Sequence, residues 1–400
     1  MNFLGYERPD GSVGIRNYVL VLPGGIIGSK ICETVEGTKS ILVTSDSYFD
    51  HTSRDRETVG RTLIGLGRNP NVASVIIDSS IDRAGYAEYT AEYLLEEISK
   101  SGKRVELLNV SKEGGDLGAI GKGIQLAREM VYDASMIRRQ PFDLSHLMLA
   151  VKCGASDTTS GIAGNPVIGN LFDRVIAAGG TALFGENTEI VGAEHVLAKR
   201  AINGEVASQI LKVADDIEKE AKSTGEDIRT VNPIPANIAG GISSLEEKSL
   251  GAICKSGSAP IQSVLRYGER PAGKGLHFFD NNPAMGIFFG YAASGAQLLL
   301  FQLGGGGFGF DRSGSDMLLP TSPGVISPLL WTTANPGTLS ASTSSIDFYS
   351  GTVLEGIDTI ESAGEELLHQ VVEIASGTMT KVETIKHDEP SQIYLRDPVF

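Results

Sequence analysis

The stretch CGASDTTSGIAGNP (153–166) sets Cys153, Ser156, Asp157, Ser160 and Asn165 directly behind an apolar run, LMLAVKC (147–153). The carboxyl ends of strands are where open α/β sheets bind ligands. Gly154, Gly161 and Gly164 leave backbone N–H groups free to approach an anion. The stretch has neither the Gly-Lys-Ser/Thr of a phosphate-binding loop nor a GxGxxG fingerprint. Here Asp157 is a candidate for proton transfer. Ser156, Ser160 and Asn165 are candidates for substrate contact. The plainer alternative is a loop whose polar residues cap the next helix.

A second constellation, GENTEIVGAEH (185–195), follows the short run TALF (181–184). Glu186 and Glu189 lie near a strand end, where a carboxylate can act as a base or ligate a cation. Glu194 and His195 read as the start of a helix. In AGGISSLEEKSLGAICKSGSAPI (239–261), Lys248 and Lys255 stand among glycines and hydroxyls. A lysine there suits the carboxylate of an acid substrate, and Lys248 also enters the candidate catalytic set. RYGER (266–270) adds Arg266. At the N-terminus, GYERPDGSVGIRN (5–17) contains the Asp10-Gly11 hairpin signal. Arg16 and Asn17 then stand at the mouth of the first core strand, able to grip a carboxylate. GGGGFGF (304–310) signals close backbone approach or a lid.

Alternating elements position these groups. NYVLVLP (17–23), ILVT (41–44), VASVIID (72–78) and VELLNV (105–110) read as strands. Helices are expected over 55–67, 89–102 and 123–135. The alternation restarts at His146 with strand 147–153, helix 167–178 and strand 181–184. A polar-faced helix over 193–224 should break near Asn203-Gly204. From 238 the chain reads as glycine-rich, with little helix until 355–376. The expected fold class is α/β, with two Rossmann-like parallel-sheet domains and a glycine-rich C-terminal region framing the cleft. The expected division is 1–140 for an N-terminal α/β domain, 141–230 for the first part of a second, and 231–400 for the part that completes it.

Composition narrows the partners. Acids exceed bases by 49 to 34, a net charge of −15 in 400 residues. That excess argues against nucleic acid and anionic lipid as partners. Three cysteines exclude a disulfide framework. No secretory signal is visible in MNFLGYERPDGS, and a cytoplasmic protein is expected. The apolar run 284–303 is long enough for a membrane span. Gly290, Ser294, Gly295 and Gln297 interrupt it, so it reads as a short helix followed by a buried strand.

GYERPDGSVGIRNYVLVLP, CGASDTTSGIAGNP, IAGGISSLEEKSLGAICKSG and VLRYGERP resemble the altronate and galactarate dehydratase family, over roughly 5–365. The large subunit of sulfolactate sulfo-lyase falls in the same family. The resemblance implies a lyase that removes water, or sulfite, β to the carboxylate of a hydroxy acid to give a 2-keto acid. It also implies a divalent metal (iron, manganese or magnesium) and a small SAF-type domain supplied as a separate subunit; a homo-oligomer is expected from the large apolar content. The family's cysteine positions fall here at Phe49 and Asp82, and a family histidine at Arg56; Cys153 is retained. Cys153, Asp82 and His51 are the candidate metal ligands, and Asp46, Asp50, His51 and Asp82 could make a harder, oxygen-rich site. Alternatively Arg54, Arg56 and Arg83 bind an anion. Such a positive pocket would favour a doubly charged acid. The family's Thr-Gly-Arg-Gly reads here Leu303-Gly304-Gly305-Gly306. A divergent enzyme that keeps the fold, or a non-catalytic subunit, remains a further alternative.

Overall fold

The computed structural model describes residues 1–41, 52–84, 89–281, 286–305, 325–386 and 393–397. Fourteen strands among them form three sheets. They are β1 (Asn2–Glu7), β2 (Val13–Gly14), β3 (Tyr18–Leu22), β4 (Thr38–Ser40), β5 (Val72–Asp78), β6 (Arg104–Leu108), β7 (Gln140–Asp143), β8 (Met148–Gly154), β9 (Thr181–Gly185), β10 (Ile261–Leu265), β11 (Gly275–Phe279), β12 (Leu298–Leu303), β13 (Leu329–Thr333) and β14 (Phe348–Tyr349). β1 pairs antiparallel with β2 and β7. A parallel sheet of four strands runs β4-β3-β5-β6, and a parallel sheet of seven runs β10-β11-β9-β8-β12-β13-β14. The fold is thus mixed α/β with parallel sheets, as the alternating pattern predicts.

The central parallel strands are continuous apolar runs because helices cover both faces. β12 (LLLFQL) and β13 (LLWTT) are buried at every position. Helices start where a side chain satisfies the first free N–H groups. Thr52, Thr90, Asn203 and Ser244 each accept from a backbone N–H three residues on. The break expected at Asn203-Gly204 is such a start: Asn203 caps helix Gly204–Ser223 at 2.9 Å. Within the apolar run, helix Ile287–Ala293 precedes β12. Among the described residues no helix is long and apolar enough to cross a membrane.

The segment after 238 differs from expectation. It holds helix Leu245–Ile253, helix Pro336–Ala341 and strands β10, β11, β13 and β14 as well. β10 (IQSVL) and β11 (GLHFF) are too short and too mixed for a periodic signal, and it is sheet pairing that makes them strands. The seven-stranded sheet therefore takes β8 and β9 from before residue 230 and the rest from after it. Of the glycine run 304–310, only Gly304 and Gly305 lie within the described residues.

The two parallel sheets share one apolar core, which joins Leu63, Leu66 and Val75 to Phe288, Leu299 and Trp331. Two asparagines seal the joint. The Asn69 amide donates to the Ala292 and Ala296 carbonyls at 2.7 and 3.0 Å. The Asn71 amide donates to those of Gln297 and Ile326 at 2.8 and 2.9 Å. Its oxygen accepts the Ile15 and Arg16 N–H groups.

Candidate active site

In the seven-stranded sheet the chain leaves β8 toward β9 on one side and reaches β12 on the other. β8 and β12 therefore flank the switch point where such sheets open a crevice. Cys153 lies at the carboxyl end of β8. Glu186 and Glu189 follow β9, and Lys255 sits on the 3-10 turn Cys254–Ser256 behind helix Leu245–Ile253.

These four side chains meet. The Lys255 ammonium donates to Cys153 Sγ at 3.0 Å, Glu186 Oε2 at 2.5 Å and Glu189 Oε2 at 2.9 Å. The Cys153 thiol donates to Glu189 Oε2 at 2.8 Å. Lys152 donates to Glu186 Oε1 at 2.6 Å and to the Cys153 carbonyl at 2.8 Å. Lys248 stands 3.8 Å from Glu189 Oε1 and bonds the Asn232 and Asn237 side-chain oxygens. Glu186 and Cys153 are fully buried and Lys255 is 1% exposed. Glu186 adopts φ 82 without being glycine, a strained backbone of the kind found at functional sites.

Charge and burial fix the protonation. Burial, and then the neighbouring Glu189 carboxylate, push the Cys153 thiol far above its ordinary value. Burial alone would raise the Glu189 carboxyl, but Lys255, Lys248 and Lys152 outweigh it and hold it below the usual carboxylate range. Burial works against the Lys255 ammonium, yet Cys153, Glu186 and Glu189 hold it well above the usual lysine range.

The loop after β8 is tied by Asp157. Its Oδ1 accepts from Ser160 N, Ser160 Oγ and Thr159 Oγ1, and its Oδ2 from Gly305 N and Asn335 Nδ2, all between 2.7 and 3.0 Å. Both oxygens are spent on joining the loops behind β8 and β12 to the start of helix Pro336–Ala341. Ser160 opens a π-turn, Ser160–Gly164, of a type common at functional sites. Asn165 donates to the Gly251 carbonyl at 3.0 Å, and the Ser156 backbone carbonyl accepts from the Asn237 side-chain amide at 3.0 Å.

The remaining candidates lie elsewhere. Arg16 is buried against Glu383, with bonds of 2.8 and 2.7 Å, and three backbone carbonyls take its other donors. Asn17 accepts from Arg8 and donates to the Ala134 carbonyl. Both arginine and asparagine thus tie the N-terminal hairpin to its neighbours. Arg54 pairs with Asp397, and Arg266 with Glu57 and Glu269; both arginines are exposed. Arg56 is half-buried on helix Ser53–Arg68. Of the expected metal set of Cys153, Asp82 and His51, two members fall within the described residues. Asp82 Oδ1 accepts the Ala91 N–H at the start of helix Ala91–Ser99, and His51 lies outside the described residues. Cys153 instead keeps company with Glu186 and Glu189. A cleft of about 730 Å³ at the edge of the four-stranded sheet, beside Cys32 and Lys39, contains none of this cluster.

Sequence reasoning passed over Lys152. Its signal is a lone lysine inside the apolar run LMLAVKC, which a buried strand tolerates only when it is paired. Asn335, which holds Asp157, carries no local signal.

Residues 144–396 match the family model described as D-galactarate/Altronate dehydratase, C-terminal, and residues 5–135 match D-galactarate dehydratase/Altronate hydrolase, second domain. The chain belongs to the galactarate and altronate dehydratase family. It is 35% identical to a (2R)-sulfolactate sulfo-lyase subunit beta of Chromohalobacter salexigens, over 97% of this chain and 96% of that one. It is 30% identical to an altronate dehydratase of Bacillus subtilis, over 95% of this chain and 75% of that protein. An altronate dehydratase of Escherichia coli matches at 29% over 94% of this chain and 74% of its own length. The lyase reading of the sequence accords with these relatives.

The family's dehydratases raise the question of a metal. Cys153, Glu186 and Glu189 each offer a ligand atom, all within 4.8 Å of one another, and such a group could hold an ion. The point on which they converge is filled by the Lys255 ammonium, so the set as folded does not fit one.

Proposed function

We propose that the chain is a lyase that eliminates water, or sulfite, from a small hydroxy acid to leave a 2-keto acid. The observation that carries this reading is the buried group of two carboxylates, a thiol and two ammoniums at the sheet's switch point. Elimination needs a base for the proton α to the carboxylate and a positive charge for the enediolate that develops. In this reading Glu189 takes that proton, with Glu186 as the other candidate. The C–H electron pair then forms the Cα=Cβ bond. The β substituent leaves with its own electron pair, hydroxide taking up a proton to depart as water. The resulting enol takes a proton at Cβ to give the keto acid. Lys255 and Lys152 supply the compensating charge beside the carboxylates. Lys248, the least buried of the three lysines, holds the substrate carboxylate. Asp157, Ser156, Ser160 and Asn165 shape the loop over the site.

A sulfite leaving group is favoured by one observation: the match to the sulfo-lyase subunit spans nearly the whole of both chains. That relative's designation as a beta subunit supports a second, small SAF-type chain in the assembly. The divalent metal implied by the dehydratases (iron, manganese or magnesium) enters no step here.

The test is turnover of a panel of aldonic, aldaric and sulfonated hydroxy acids, with keto acid and sulfite measured together. The expected result is equimolar keto acid and leaving group from at least one acid, and a loss of at least about 100-fold in kcat/KM for Glu189→Gln. Glu189→Gln at wild-type rates would overturn the role of Glu189. No keto acid from any member, with or without added metal and second subunit, would favour a non-catalytic chain.

A further inference from the structure

A resident metal and a resident lysine make opposite demands on the same three ligand atoms. Lys255 has three ammonium protons, and three acceptors lie within reach: Cys153 Sγ at 3.0 Å, Glu186 Oε2 at 2.5 Å and Glu189 Oε2 at 2.9 Å. Its donors are therefore saturated by the very atoms a metal would use.

The backbone beneath Lys255 is pinned. Gly257 closes its turn at φ 65, donating to the Cys254 carbonyl at 3.1 Å. Gly169 of helix Asn165–Ala177 passes so close that a Cβ there would stand 2.2 Å from the Cys254 carbonyl oxygen. The turn thus has no room to draw the lysine back toward the helix.

Charge agrees. With the thiol protonated, Glu186 and Glu189 are balanced by Lys152 and Lys255, and Lys248 borders the group. A divalent ion added to that balance would meet an ammonium at contact distance. Distances also agree: at metal–sulfur and metal–oxygen lengths of about 2.3 and 2.1 Å, ligand atoms stand about 3.5 Å apart. Cys153 Sγ and Glu186 Oε2 are already 3.7 Å apart, whereas the 2.8 Å separation of Sγ and Glu189 Oε2 is a hydrogen bond.

We propose that Lys255 is the built-in cation of this site: its ammonium occupies the Cys153–Glu186–Glu189 position against divalent metals, and its removal uncovers a one-metal site. The claim concerns occupancy and stands apart from the lyase reading, because its readout is metal binding. Cobalt(II) is titrated into the full-length wild type, Lys255→Ala, Lys255→Met and Lys255→Ala/Cys153→Ser, with the thiolate-to-cobalt charge-transfer absorption followed and folding checked by circular dichroism. The wild type should give no such band. A folded Lys255 variant should take up one equivalent with the band, at least about 100-fold more tightly, because its carboxylates have lost their counter-charge. The double variant should lose the band. A one-equivalent band in the wild type refutes the proposal, as does its absence in a folded Lys255→Ala or Lys255→Met protein. If neither single variant folds, a one-equivalent band in the wild type still refutes the proposal.

Discussion

Replacing Glu186 by Gln keeps the shape of a fully buried side chain and removes its charge. Lys152, 2.6 Å away, then loses that carboxylate partner, while Lys255 keeps Glu189. Breaking a buried ion pair by removing one partner costs about 3–5 kcal/mol, because the other charge stays buried without compensation. For a cooperative unit of 400 residues each kcal/mol lowers Tm by about 1.2 °C, so Glu186→Gln should melt about 4–6 °C below wild type. Glu186→Gln/Lys152→Met removes both charges and should recover much of that loss, with a coupling energy of about 2 kcal/mol or more. The φ of 82 adds a separate term: Glu186→Gly should be more stable than Glu186→Ala by about 1 kcal/mol, since only the former relaxes the backbone. Scanning calorimetry of the variants reads all of these. A Glu186→Gln protein melting within about 2 °C of wild type would refute the buried-pair reasoning, as would a double variant no better than the sum of its singles.

The other predictions share this site. Glu189 has its pKa depressed by folding, so its stabilising contribution is present above the unfolded value of about 4.3 and is lost as pH falls through the lower folded value. Urea unfolding from pH 7 down to 3 should show the stability gap between wild type and Glu189→Gln closing below about pH 4; a constant gap would count against it. Asp157→Asn places an amide donor among five donors and should cost about 3 kcal/mol, with KM raised as the loops behind β8 and β12 come apart, checked by melting and steady-state kinetics. Gly169→Ala drives a methyl against the Cys254 carbonyl and should cost about 1–3 kcal/mol, displacing the turn that carries Lys255; an unchanged Tm would show that the turn has room to give.

Long apolar strands and amphipathic helices were legible because period and capping are local. NYVLVLP, VASVIID and LMLAVKC are strands in the structure, and Asn203 starts a helix where the Asn-Gly pair breaks the pattern. β10 and β11 were not legible, since five mixed residues become a strand only by pairing with neighbours distant in sequence. Among the candidate site residues, Cys153, Glu186, Glu189, Lys248 and Lys255 were each marked by position after a strand or within a glycine-rich turn. Arg16 and Asn17 carried an equally good local signal, yet both serve to hold the N-terminal hairpin. Charge at a strand mouth reads the same whether its partner is a ligand or, as with Glu383, a residue 367 positions away.

The sequence by itself determined the α/β class, the family and the residue types available for acid–base chemistry, because motif and periodicity are written in neighbouring residues. Tertiary structure alone decided which of those residues meet. Cys153, Glu186 and Glu189 come from the ends of two strands, and the 3-10 turn Cys254–Ser256 brings Lys255 among them from 102 residues beyond Cys153. That single ammonium changes a set that could ligate a metal into a charge-compensated buried group. No local pattern encodes it, since it depends on where β8, β9 and the Gly169–Cys254 contact put four side chains in space.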